Sequence, residues 1–243
     1  SLDLDQLYDK QSIKPFNQRW EEFVNSDPYN AKVLNRNGNI ITYPHKSWVP
    51  SKNNNVMSVL MLFGNPAPHS TYHDVYFSFE GKGTEHRFWK VLRELGYINL
   101  KGTDPKIKEK FFELDYESPF RLGFDVVFSF PSSASQPKWS GVTGIQKLFG
   151  KKAFEIIVKE ERERMRQIIS DFFKEDKGVI IAFQKDAFNM LSTNEYSLAK
   201  AVEGSLKESY RDKITLFGTP PTRWLYTQKM KNILSEIKME AQK

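Results

Sequence analysis

The chain has no cysteine among its 243 residues. It can therefore hold no disulfide, no thiolate zinc site and no cysteine-ligated iron-sulfur cluster, and it suits a reducing, cytoplasmic setting. Histidine is also scarce, at four residues, so no metal and no other cofactor is expected. Long apolar runs are missing: the longest are strand-length, and the first thirty residues carry charges where a leader would be apolar, so no membrane partner is expected. No glycine-rich phosphate loop, nucleophile elbow or paired-carboxylate helix is found. Low-complexity tracts and internal repeats are absent as well.

What is present is globular in composition, 39% hydrophobic and 14% aromatic, and long enough for one domain with a substantial core. The net charge of +6 is unevenly spread. Residues 206–243 carry eight basic against four acidic side chains, a bias that supports salt-sensitive contact with phosphate but fits a solvated lysine face equally well.

Periodicity gives alternating strands and helices. Strands are expected at Val56 to Phe63, Phe124 to Phe130, Gly178 to Phe183 and Ile214 to Phe217. Helices are expected at Glu85 to Leu95, Ala153 to Phe173, Lys185 to Leu191 and Arg223 to Lys238. The Glu160-Glu161-Arg162-Glu163-Arg164 run reads as a solvated helix face. Strands separated by helices imply parallel pairing. The expected fold class is thus α/β, a three-layer sandwich around a central four-stranded parallel sheet. Residues 1–55, with a helix at Phe16 to Val24 and a strand at Asn39 to Tyr43, are expected as an N-terminal extension packed on a domain of residues 56–243.

In such a sheet, ligands bind beyond the carboxyl ends of the strands. The segments there are Gly64 to Ser70, Ser129 to Ser135, Gln184 to Asp186 and Gly218 to Arg223.

Two motifs narrow the reading. Gly64-Asn65-Pro66 follows the first core strand, and a helix led by Arg87-Phe88-Trp89 and ending at Gly96-Tyr97 comes about twenty residues later. The pair resembles the uracil-DNA glycosylase superfamily, closest to its mismatch-specific, Asn-using branch. The resemblance covers about Val56 to Ile237. It implies a base-excision repair enzyme, a hydrolase that flips a base out of DNA and cleaves its N-glycosidic bond, acting as a monomer without metal or lyase chemistry. Asn65 would hold the attacking water, with Gly64 and Pro66 shaping the base-binding turn. An amide takes no proton at neutral pH, so such an enzyme works by positioning.

Between the motifs, Val75-Tyr76-Phe77-Ser78-Phe79 falls where the family places a base-stacking Phe. Phe77 is assigned that role, with Tyr76 and Phe79 as alternates. Gly123 to Pro131 resembles the family's second strand, and Ser129 stands where several branches read the base edge with Asn. The last motif departs most: in Thr219-Pro220-Pro221-Thr222-Arg223-Trp224, Pro221-Thr222 stands for Pro-Ser, and neither the His nor the Asn of the family is present. Arg223 or Trp224 would enter the duplex or contact phosphate. His69, near base or phosphate, and Asp74, as a general base, complete the candidates. Two rival readings stand beside this one: a nucleic-acid-binding protein of the same fold that does not cleave, and a small-molecule or nucleotide hydrolase.

Overall fold

A computed structural model describes the chain except for Lys10, Gln11, Lys46, Gly81, Lys82, Ala134, Ser135, Glu175, Asp176 and the side chain of Glu80. The chain forms two compact units. The first comprises Ser1–Lys46, Asn65–Asp74 and Phe128–Arg164; the second comprises Ser47–Gly64, Val75–Val127 and Met165–Lys243.

The second unit is built on a five-stranded sheet: β1 (Met57–Phe63), β2 (Phe120–Val126), β3 (Gly178–Phe183), β4 (Lys207–Arg211) and β5 (Ile214–Thr219), in the order β2-β1-β3-β5-β4. Strands β1, β2, β3 and β5 run parallel, while β4 pairs antiparallel with β5. Runs such as Met-Ser-Val-Leu-Met-Leu-Phe and Gly-Val-Ile-Ile-Ala-Phe suit strands buried on both faces. Val59, Met61 and Phe63 join one cluster with Phe88, Trp89 and Leu92 of the helix Arg87–Glu94 and with Met230, Leu234 and Ile237 of the helix Gln228–Ala241. On the opposite face Phe172, from the helix Lys151–Phe173, reaches Gly123, where an added Cβ would lie 3.2 Å from its ring and 3.1 Å from Leu60. The sheet therefore carries helices on both sides.

This differs from the expected four-stranded sheet. Lys-Glu-Ser-Tyr-Arg of β4 alternates between exposed and half-buried positions, and such a polar strand survives at an edge because only one side of its ladder is paired. The second strand also begins at Phe120 rather than Phe124. Arg121 interrupts the apolar pattern yet is buried, donating to Ser58 Oγ (3.1 Å), Lys52 O (3.1 Å) and Phe172 O and lying over the Phe172 ring.

The first unit packs the helix Ile13–Asn25 through Phe16, Trp20 and Phe23. Phe16 stacks on Phe149 at 5.4 Å, and Phe23 meets Phe130 and Trp139. Leu2–Asp3, Ile40–Thr42 and Asn35–Asn37 form a small antiparallel sheet. Among the described residues no helix is long and apolar enough to cross a membrane.

Candidate functional site

In the first unit Asn65 opens the segment that follows β1 in the chain. Its Nδ2 donates to Ser132 Oγ (2.9 Å), to Pro66 O (3.2 Å) and weakly to Ser132 O (3.4 Å). Ser132 N–H returns a bond to Pro66 O (3.1 Å), and Ser132 Oγ donates to Gly141 O (3.0 Å). Gly141 sits at φ +58°, and a Cβ there would lie 3.8 Å from Asn65 Oδ1. The amide is thus fixed through its nitrogen, while among the described residues Oδ1 accepts no hydrogen bond. Ser132, buried at 2% exposure, was not singled out from sequence. It is a tertiary partner 67 residues away, and nothing local marks it.

Ser129 lies beyond the end of β2 and is held by Glu161. Its N–H donates to Glu161 Oε1 (2.6 Å), its hydroxyl donates to the same oxygen, and Tyr43 OH lies 3.2 Å from Ser129 Oγ. Arg164 Nε donates to Glu161 Oε2 and its Nη1 meets His45 Nε2 (3.1 Å). Burial pushes the Tyr43 phenol up to about 12, against the Ser129 hydrogen bond. Glu161 is 5% exposed, which corrects its reading as part of a solvated face. It stands four residues from both Ile157 and Met165, each buried, so the 3.6-residue period already put it on the inward stripe.

The segment after Pro66 is a short helix, Pro68–His73, and not wholly a loop. His69 and His73 are four apart on it, with ring centroids 4.7 Å apart, and both lie against Tyr29. The His69 pKa is lowered, chiefly by burial, with the His73 charge adding and Asp27 opposing. Asp74 closes the helix in the left-handed conformation at φ +56°. No group of three or more metal-ligating side chains occurs among the described residues.

In the second unit, which includes Gly64, the Arg87-Phe88-Trp89 helix positions Phe77. The Phe88 ring stacks on Phe77 at 4.2 Å, and Phe63 meets it edge-on at 4.9 Å. Trp89 Nε1 donates to Tyr76 O (2.8 Å) and Phe77 O (3.2 Å). Phe77 has φ +48°, a conformation a bulky side chain adopts only when its surroundings impose it. Tyr76 instead packs on Trp48, Phe63 and Phe124.

The segment after β5 behaves differently. Thr219 is fully buried, and its hydroxyl faces Ala182 O (3.4 Å) and Pro220 O (3.3 Å). Thr222–Trp224 is a 3₁₀ turn, with Arg223 exposed, Trp224 half-buried against the core, and Pro221 as its N-cap. Tyr196 OH donates to Thr219 O (3.0 Å); burial pushes that phenol up to about 12, against the Arg223 charge.

Asp186, just beyond β3, carries a further signal. Burial raises its carboxyl pKa against the Lys185 charge, Gln184 Nε2 lies 3.3 Å from Oδ2, and Gln184 has φ +72°. A desolvated carboxylate beside a strained backbone at the carboxyl edge of a parallel sheet is a candidate for a functional position. No protein-family model matches the chain, and no curated protein is detectably similar to it.

Proposed function

We propose that the chain is a monofunctional DNA glycosylase of uracil-DNA glycosylase type, which hydrolyses the N-glycosidic bond of uracil or a related damaged base. The observation that supports it is the Asn65 amide: its nitrogen is bound to Ser132 and Pro66, and its oxygen is left to accept. A carbonyl oxygen held in this way orients a water through one O–H and turns a lone pair toward the sugar. The amide removes no proton. As the C1′–N bond breaks, positive charge on the sugar draws the water in, its oxygen bonds to C1′, and the proton it then sheds passes to the departing base anion or to bulk water. The departing base takes the electron pair, and donors near its oxygens lower the barrier. Within the second unit Phe77, held on its strained backbone by Trp89 and Phe88, keeps the base-stacking role that the resemblance implies.

One observation favours a second reading, a protein that binds DNA without cleaving it. The Thr219 hydroxyl is directed at carbonyls inside the fold, so the last motif offers no side chain to the leaving base at that position.

Single-turnover base release decides between them. Enzyme in excess is mixed with labelled single-stranded, G:U, A:U and G:T oligonucleotides, and alkali cuts any abasic site. Uracil-dependent cutting that is lost in Asn65→Ala is the expected result. No cutting while salt-sensitive DNA binding persists selects the second reading, and no DNA binding selects a small-molecule enzyme.

A further inference from the structure

The helix Pro68–His73 and the short helix Asn30–Val33 present a cluster of rings in the first unit. Tyr29 lies 4.8 Å from His69, 5.5 Å from Tyr72 and 6.1 Å from His73, and Tyr72 lies 5.1 Å from His73. Lys32 Nζ stands over both tyrosines, 4.7 Å from the Tyr29 centroid and 4.9 Å from that of Tyr72. Tyr72 keeps half of its surface in solvent, at 50% exposure. An aromatic ring held in place by neighbours yet left at the surface offers a flat, rigid contact at little cost in side-chain entropy.

We propose that Tyr29, Lys32 and Tyr72, braced by His69 and His73, form a stacking platform for an unpaired base of single-stranded DNA next to the Asn65 turn. The choice of DNA rests on the glycosylase reading; the choice of an unpaired base rests on the charges. Lys32 is cationic, but Asp27 faces His69 and Asp74 ends the same helix. Next to the rings Lys32 is therefore opposed by carboxylates, and these groups give no cationic excess with which to hold a duplex backbone or an acidic peptide. Base–aromatic stacking needs no such charge. In a duplex the base faces are covered by neighbouring pairs. The platform thus selects single strands, and its Tyr72 stands seven residues along the chain from Asn65.

The test uses fluorescence anisotropy with labelled oligothymidylate, a hairpin duplex, and an abasic strand that keeps the phosphates but lacks bases. Each is titrated with wild-type protein and with Tyr72→Ala, Tyr72→Phe and Lys32→Ala, after thermal unfolding has shown the variants folded. The expected result is about tenfold weaker oligothymidylate binding for Tyr72→Ala, the loss of one stacked base. Tyr72→Phe should bind like wild type, and duplex binding should not respond to Tyr72. Oligothymidylate binding that ignores both Tyr72→Ala and Lys32→Ala overturns the proposal. So does an abasic strand that binds as tightly as oligothymidylate, or a polyglutamate peptide that competes equally well. Repeating the titrations in Asn65→Ala separates the two readings. Tyr72-dependent binding without base release by wild type leaves the platform standing and removes the glycosylase, whereas base release with Tyr72-independent binding removes the platform alone.

Discussion

Asn65 donates to Pro66 O and to Ser132, whose own hydroxyl donates to Gly141 O. A carboxylate in its place would bring acceptors against acceptors. Asn65→Asp, although other branches of the resembling family use Asp here, is therefore expected to cost about 1–3 kcal/mol of stability and to lower base release. Urea unfolding and single-turnover rates check this; an Asp variant as stable as wild type would show that the amide nitrogen is not what fixes the side chain. Asp186 gives a prediction with a pH sign. Its folded pKa is raised by burial, so its contribution to stability is full below the unfolded value of about 4 and is lost as pH rises through the folded one. Asp186→Asn should accordingly raise Tm near neutrality, with the gain shrinking toward acid; a gain independent of pH refutes the assignment.

At the scale of elements, the Arg87–Glu94 helix is tied down more firmly than its motif suggested. His86 Nδ1 caps it by accepting from Phe88 N–H (3.1 Å), and Arg93 forms two 2.6 Å bonds to Glu85, which also accepts Gly102 N–H (2.7 Å). A Cβ on Gly102 would come within 2.1 Å of the buried Trp89 ring, which cannot swing away without breaking its bonds to Tyr76 O and Phe77 O. Gly102→Ala is expected to cost about 1–3 kcal/mol or more, seen as a fall in urea midpoint. Should the midpoint hold, Trp89 is not the strut that keeps Phe77 in its strained conformation. Elements were legible in the sequence where one signal dominated: Gly178–Phe183 is an apolar run opened by glycine, and β3 spans it. They were obscured where the partner of a polar residue lies far along the chain. Arg121 hid the start of β2 because its acceptors come from Lys52, Ser58 and Phe172, and β4 went unread because an edge strand needs no apolar alternation. The candidate site divides in the same way. Gly64-Asn65-Pro66 was visible as turn chemistry, whereas Ser132 is marked only by tertiary packing, and the period that turns Glu161 inward does not name Ser129, 32 residues away, as its partner.

Across the whole molecule, burial raises the pKa of five of the ten tyrosines, Tyr8, Tyr43, Tyr97, Tyr116 and Tyr196, with Tyr43, Tyr116 and Tyr196 at about 12. In the unfolded chain each returns to about 10. Their stabilising contribution is thus complete below about pH 10 and is lost as pH climbs through the folded values. Tyrosinate absorbance is expected to show these five ionising only together with loss of far-ultraviolet circular dichroism; all ten ionising while the dichroism stays native would refute it.

The first unit draws on three separate stretches of chain, and within it Phe16 stacks on Phe149. A ribosome adding ~5–20 residues per second needs on the order of 10 s to pass from one of these rings to the other. For most of that interval the helix Ile13–Asn25, with Phe16, Trp20 and Phe23 on its apolar side, is made but still lacks Phe130, Trp139 and Phe149. An apolar helix face that waits so long for its partners is one that a chaperone has time to cover.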